Sequence, residues 1–378
     1  METAEVDAFY ALNEARLASV TREFTEHFLG RVLYAVKANS LPQVLRAVFR
    51  AGVGGFDVAS LAEARLVRST IPQARSWFMN PAKSRRDVEW TFRDLGVRNY
   101  VIDCEADLQK LLEVLPSHDP ELRIYVRFNC GATSAVLDLD SKCGASPAEA
   151  RHLLGLVHAQ SRWTSLSFHT GSQTIVIEPY LHAIRAAIGI VEGVSPGPTA
   201  LDIGGGFPGH YLNIPYHSPL SMLSNITKLM RGSEALKSIE LLCEPGRALV
   251  SDSMSLFCRV ILRKGGALYC GAGIYSGLTP ARQYFQLPAR AGRGGRPIET
   301  EERQDFIIFG PTCDSMDRLG FSYSLPRDLS EGDWIEFQHV GAYSETLRCS
   351  FNGFSVDKIV TVEEDELTES RGHSSDCS

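Results

Sequence analysis

The sequence predicts an α/β protein: a parallel (β/α)8 TIM barrel followed by a C-terminal antiparallel β domain. Three observations carry this. Eight short apolar runs alternate with amphipathic helical stretches between residues 32 and 244, the rhythm of repeated strand–helix units. The runs are apolar on both faces, as expected for strands of a sheet covered on both sides. After Glu244 helical periodicity gives way to short alternating strands separated by Gly and Pro turns. An open doubly wound sheet is the main rival for the first part.

Residues 1–25 open on Asp7-Ala-Phe-Tyr-Ala-Leu12, a short strand. A helical pattern follows, with apolar positions at Leu12, Leu17, Val20 and Phe24. This segment is expected to pack with the β domain. The barrel is placed at 26–247, with strands in Val32–Ala38, Gly55–Ala59, Ser76–Asn80, Tyr100–Asp103, Leu122–Phe128, Ser165–His169, Ala200–Ile203 and Leu241–Glu244. The intervals carry helix spacing: Leu41, Val44, Leu45, Val48 and Phe49 form one apolar face, and Leu108, Leu111, Leu112 and Val114 another. The β domain spans 248–362, with strands at Ser255–Leu262, Phe306–Phe309, Asp333–His339 and Lys358–Thr361. Residues 285–304 read as an exposed basic loop, and the polar end 363–378 as disordered.

Composition narrows the function classes. At 378 residues, 44% hydrophobic and 22% charged, the chain is long enough for two domains of an ordinary soluble protein. A net charge of −7 argues against nucleic acid as a partner. No stretch approaches about 18 uninterrupted apolar residues, so no membrane span is expected. The acidic start lacks the basic and apolar regions of a signal peptide. Nine cysteines without a C-x-x-C pair suit a reducing cytoplasm, and neither a disulfide framework nor a metal site is predicted.

In a parallel barrel, functional groups gather at the C-terminal ends of the strands. Here those ends carry Lys37, Asp57, His169, the run Asp202-Ile-Gly204-Gly205-Gly206-Phe-Pro-Gly209, and Glu244-Pro-Gly246-Arg247. A lysine ending an apolar strand is a costly placement unless it is paired or reactive. The glycine run is formally G-x-G-x-x-G, but a dinucleotide turn requires a helix to open at once. Pro208 and the polar stretch Tyr211–Ser218 follow instead, so the run reads as a phosphate cradle whose unshielded N–H groups face the anion. Each residue has a plainer alternative. His169 could be a core histidine, Glu244 a partner for Arg247, and Glu63 the N3 residue of a Ser60 capping box. Taken together, a lysine, a phosphate loop, a ring-stacking histidine and a buried acid are the equipment for pyridoxal 5'-phosphate.

The sequence resembles the fold-type III, alanine-racemase-like pyridoxal-phosphate decarboxylases that act on ornithine, diaminopimelate and arginine, and is most similar to the ornithine branch. The matching motifs are Tyr34-Ala-Val-Lys37-Ala-Asn39, Phe56-Asp57-Val-Ala-Ser60, His169-Thr-Gly-Ser172, Gly204–Gly209, Glu244–Arg247, Gly310-Pro-Thr-Cys313-Asp314-Ser-Met-Asp317, Gly341-Ala-Tyr343 and Phe351-Asn-Gly-Phe354. The resemblance implies that Lys37 carries the cofactor as a Schiff base, that Asp57 and Glu63 support its pocket, and that His169 stacks on its ring. It implies phosphate contacts from Ser172, Gly205, Gly206, Gly246, Arg247 and Tyr343, and pairing of Glu244 with the ring nitrogen. Cys313 would return a proton after CO2 leaves, and Asp314 would face the distal end of the substrate. It implies a homodimer with shared active sites, the Cys313–Asp314 loop reaching into the partner's barrel.

The chain departs from that pattern where the ornithine branch has a second substrate-recognising Asp. The matching stretch, Gly273-Ile-Tyr275 to Arg282-Gln283-Tyr284, offers Gln283 and Tyr284 with Arg282 beside them. The acidic Ala132–Lys142 stretch, with Asp138 and Asp140, is a second departure. The expected activity is therefore decarboxylation of an amino acid that is ornithine- or lysine-like or carries a modified distal group, with Arg282 and Tyr284 as substrate candidates. Two rivals are a racemase on the same scaffold and a non-catalytic regulator. Cys313 in its motif favours decarboxylation, and the complete set of Lys37, His169, Glu244, Arg247 and Cys313 argues against the regulator.

Overall fold

The computed structural model describes residues 6–362 except 117–118, 132–134, 138–141 and 161–162. The polar end 363–378, and Asp138 and Asp140, lie outside the described residues. The chain forms two compact units, one of residues Val20–Gly209 and Pro215–Leu249, the other of Met1–Ser19, His210–Ile214 and Val250–Ser378.

The first unit is a closed parallel barrel of eight strands: Arg31–Ala35, Gly55–Val58, Ser76–Phe78, Asn99–Ile102, Arg123–Arg127, Trp163–Ser167, Ala200–Asp202 and Glu240–Cys243. Helices alternate with them; Pro42–Arg50 and Glu105–Val114 are the two whose apolar faces are read from spacing. Proline at the first position of Pro42–Arg50 supplies a fixed φ where no N–H is needed. The barrel interior is filled rather than open: Leu33, Trp77, Met79, Val101, Tyr125, Ala200 and Leu242 form one buried cluster drawn from six strands. The predicted strands fall in the right places but run too far at their C-terminal ends. Lys37 is not a strand residue: it sits in a 3-10 turn, Val36–Ala38, that follows Ala35. The turn is held by the buried Tyr34 hydroxyl, which donates to the Asn39 carbonyl at 2.9 Å.

The second unit is a nine-stranded sheet, antiparallel except for two pairs. Its longest strand, Met254–Lys264, pairs with Ala8–Leu12 on one edge and Trp334–Phe337 on the other. Ile359–Thr361 runs parallel to Ala8–Leu12, and Ala267–Cys270 parallel to Arg303–Phe309. The segment His210–Ile214 joins this sheet unit: the Leu212 N–H donates to the Gln286 carbonyl at 2.9 Å and Tyr211 stacks on Phe285 at 4.4 Å. One expectation fails. Residues 285–304 are not an exposed loop throughout, because Ala289–Arg293 is a strand against Trp334–Phe337. Its Ala-Arg-Ala-Gly-Arg sequence has little strand preference; partners fix it instead. Arg290 pairs with Glu336, and Arg293 bonds Asp333 at 2.8 Å and Asp328 at 2.9 Å. Gly294 and Gly295, both at positive φ, close the hairpin.

Among the described residues no helix is long and apolar enough to cross a membrane. One buried ion pair supports the barrel. Lys83, with its side chain wholly enclosed, donates to Asp107 and to the Val101 and Pro81 carbonyls, while Lys110 holds the other oxygen of Asp107. Burial pushes the Lys83 ammonium down from its ordinary value and the Asp107 charge opposes that. Replacing Lys83 by Met leaves the buried Asp107 carboxylate with Lys110 as its remaining cation. The expected loss is about 3–5 kcal/mol of unfolding free energy in urea titration, and Lys83→Met/Asp107→Leu should recover most of it.

Candidate functional site

Three backbone loops meet at the C-terminal mouth of the barrel, and glycine is what lets them meet. Gly204 has φ of +67°, and a methyl group there would lie 2.3 Å from the Phe168 carbonyl oxygen. At Gly205 it would lie 2.5 Å from the Glu244 carbonyl oxygen. Both contacts are far inside van der Waals distance, so the loops after strands six, seven and eight are locked backbone to backbone. The Glu244 N–H donates to the Gly204 carbonyl at 2.8 Å, and the Tyr180 hydroxyl to the Gly205 carbonyl at 2.7 Å. After Gly209 no helix begins until Pro219, so the glycine run is not a dinucleotide turn.

This lock presents the predicted side chains. Lys37 Nζ forms an ion pair with Asp57 Oδ2 at 2.9 Å; the lysine is 41% exposed and the aspartate 2%. The amine is therefore reachable while its counter-charge is fixed from behind. His169 is buried and its Nδ1 accepts from the Gly171 N–H at 3.1 Å, leaving the hydrogen on Nε2. Burial, with the Arg127 and Lys37 charges, pushes this histidine well below its ordinary value, so the ring stays neutral. Arg247 Nη2 donates to Ser172 Oγ at 3.3 Å, joining two of the expected phosphate ligands. Gly246 packs on Ala38 and Ala35, where a methyl group would come within 2.8 Å of the Ala38 side chain. Glu63 makes a capping box: its N–H donates to Ser60 Oγ at 3.2 Å, and its carboxylate accepts from the Ala59 N–H at 2.7 Å. Burial raises its carboxyl, and Asp57 and Lys37 act on it electrostatically, so this helix start borders the lysine.

Sequence reasoning placed Asp202 at a strand end but gave it no role of its own. It is fully buried, its Oδ1 accepts from the Gly204 N–H at 2.8 Å, and its carboxyl hydrogen-bonds that of Glu244. Burial pushes Asp202 up to about 7 and raises Glu244 well above its ordinary value, the Asp202 charge adding to the effect on Glu244. The pair thus holds a proton that isolated acids would release. The signal was an acid two residues before the glycine run. Asp202 Oδ2 and Glu244 Oε1 are buried with no donor among the described residues. A ring N–H is the kind of donor these oxygens lack, so the pocket fits a pyridine-ring cofactor.

The sheet unit carries its own cluster. The loop Gly310–Asp317 folds around the buried Asp317 carboxylate, which accepts from the Ile274 N–H at 2.9 Å, the Thr312 N–H at 3.1 Å and the Thr312 hydroxyl at 2.8 Å. Asp314 accepts from the Tyr275 hydroxyl at 2.6 Å and from the Met316 N–H at 2.9 Å; these bonds, and then Arg282, lower its carboxyl. Cys313 is exposed beside Asn352. Tyr275, a second residue that sequence reasoning left without a role, packs its ring at a tilt against Phe351, centroids 5.1 Å apart. Tyr284 is placed differently: its carbonyl accepts from Asn213 at 2.9 Å and its ring lies near Phe285. Tyr343 occupies the left-handed region at φ of +57°, a strained position for a bulky residue.

The pyridoxal-binding domain model of the pyridoxal-dependent decarboxylases matches residues 14–251. The chain belongs to that family. It is 32% identical to the decarboxylase flvG of Aspergillus flavus, over 86% of this chain and 78% of that protein. It is 29% identical to the ornithine decarboxylase of Schizosaccharomyces pombe, over 97% of this chain and 86% of that one. The fold is shared with the lysine/ornithine decarboxylase of Vibrio vulnificus complexed with cadaverine (TM-score 0.81, 24% identity, 94% of each chain). It is shared too with the Paramecium bursaria Chlorella virus arginine decarboxylase bound to agmatine (TM-score 0.83, 24% identity, 95% and 97%). The protein is a decarboxylase, and its cofactor is pyridoxal phosphate.

Two predictions follow from the charges. Asp202 has a folded value above its unfolded one, so its contribution to stability is full in acid and is lost as pH rises from about 4 through about 7. In urea titrations of protein stripped of cofactor, Asp202→Asn should gain stability relative to wild type across that window, with no relative gain below it. Asp317→Ala should cost about 2–4 kcal/mol, since three donors lose their acceptor, and should raise hydrogen exchange in Gly310–Asp317 before it affects the barrel.

Proposed function

We propose that this protein releases CO2 from an amino acid, giving the amine, with Lys37 as the lysine that takes the cofactor as a Schiff base. When bound, pyridoxal phosphate supplies an aldehyde for amines and a ring that draws electrons from the bond to the carboxyl carbon. The Lys37–Asp57 pair carries the reading, because it presents a reachable amine backed by a buried carboxylate at the barrel mouth. Asp202 and Glu244 would hold the ring nitrogen of the bound cofactor and favour its protonated form. Neutral His169 offers a flat face for the ring without competing for its charge. Ser172, Gly205, Gly206, Gly246 and Arg247 would hold the phosphate, with Asp57 and Glu63 supporting the pocket. Cys313 would be the donor of the proton that replaces the carboxylate.

The substrate reading rests on Asp314. Its carboxylate is engaged by the Tyr275 hydroxyl and sits within the field of Arg282. A carboxylate so compensated attracts a distal ammonium less than a bare one would. We infer a substrate whose distal group is larger, polar or acidic, with free ornithine or lysine as the alternative. Exposed Met316, Leu347, Phe351 and Phe354 in the segments around Cys313 support a homodimer in which this loop completes the partner's site.

Purified protein should show a visible absorption band that Lys37→Ala abolishes. A colourless wild type that also fails to take up added pyridoxal phosphate would overturn the assignment. CO2 release measured across basic, polar and acidic amino acids should favour a substrate other than free ornithine. Turnover of L-ornithine at micromolar KM would sink the altered-substrate reading.

A further inference from the structure

The Asn352 side chain lies at an unusual point of the backbone. It occupies the left-handed region, with φ 55° and ψ 15°, inside the turn Phe351–Gly353, and Gly353 follows at φ 82°. Asparagine tolerates that conformation better than most side chains. The turn aims its amide at Cys313: Oδ1 lies 3.4 Å from the Cys313 backbone nitrogen and 3.4 Å from its Sγ. The double contact fixes the orientation of the amide. A backbone N–H can only donate, so the atom facing it must be the carbonyl oxygen. The sulfur meets that same oxygen, and only a protonated sulfur can donate to it. A thiolate would face an acceptor's lone pairs.

We propose that Asn352 is a positioning residue that holds Cys313 as a protonated thiol with a fixed S–H direction. This rests on the reading of Cys313 as the proton donor and extends it. An exposed cysteine exchanges its proton with water, and the Oδ1 contact biases that exchange towards the form that has a proton to give. Asn352 touches neither substrate nor cofactor in this role; it acts through the thiol.

The test uses the holoenzyme and iodoacetamide, with labelling of each cysteine followed by peptide mass spectrometry and exposed Cys104 as internal reference. Asn352→Gly keeps the backbone conformation and removes the acceptor; it should label Cys313 about two- to fivefold faster at neutral pH and shift the labelling profile to lower pH. Asn352→Asp keeps an acceptor, adds a negative charge and should slow labelling with the opposite shift. In CO2 release, Asn352→Gly should lower kcat several-fold with KM little changed, and Asn352→Asp should retain more activity than Asn352→Gly. Labelling profiles that coincide in all three proteins, or faster labelling in Asn352→Asp, would overturn the proposal. Failure of the underlying reading looks different: Cys313→Ala would release CO2 and form the amine at the wild-type rate, while the labelling shifts persisted.

Discussion

The close approach of three backbone loops at the barrel mouth is the constraint on which the site depends. Gly204 and Gly205 lack the Cβ atoms that would collide with the Phe168 and Glu244 carbonyls and hold the chain after strand seven away from its neighbours. Once the loops touch, Asp202, Glu244 and His169 have little freedom in where they point. The arrangement also forces acids together. Two carboxyls at the ends of adjacent strands, 200–202 and 240–243, share a dry pocket, and burial turns what would be two ionised groups into a pair that keeps a proton. That is unfavourable in isolation and useful for a ring nitrogen that must stay protonated.

The same logic of opposed charge and access runs through the rest of the mouth. Asp57 is enclosed and Lys37 is open, so the amine is held without being hidden. His169 is pushed towards neutrality by burial and by nearby cations, which suits a stacking ring and would not suit a general acid. In the sheet unit the equivalent organiser is Asp317, whose carboxylate gathers the N–H groups of Ile274 and Thr312 and so sets the loop that displays Cys313 and Asp314. Gly273 and Gly310 leave room for it, since a methyl group at either would collide with the carboxylate.

The sequence made the architecture legible because its signals are periodic. Strand–helix alternation and two-faced apolar runs are repeated eight times, and each repeat reinforces the others. Strand ends were less legible, as Lys37 illustrates, because the turn after Ala35 is held by a side-chain bond, from the Tyr34 hydroxyl to the Asn39 carbonyl, that apolar patterning does not register. Ala289–Arg293 was illegible for the same reason: its ladder to Trp334–Phe337 and the ion pairs of Arg290 and Arg293 override a weak strand sequence.

By itself the sequence determined the barrel, the order of residues at its mouth and the family those residues resemble. Motif spacing encodes chemistry that must appear at successive strand ends, and such spacing survives without coordinates. Only the tertiary structure decided that Asp202 and Glu244 meet in a dry pocket where burial raises both, and that Asp314 is already engaged by Tyr275 and lies in the field of Arg282. These are relations between residues 32 to 42 positions apart. Charge state depends on burial and on what stands a few ångströms away, and neither quantity is written in the local sequence.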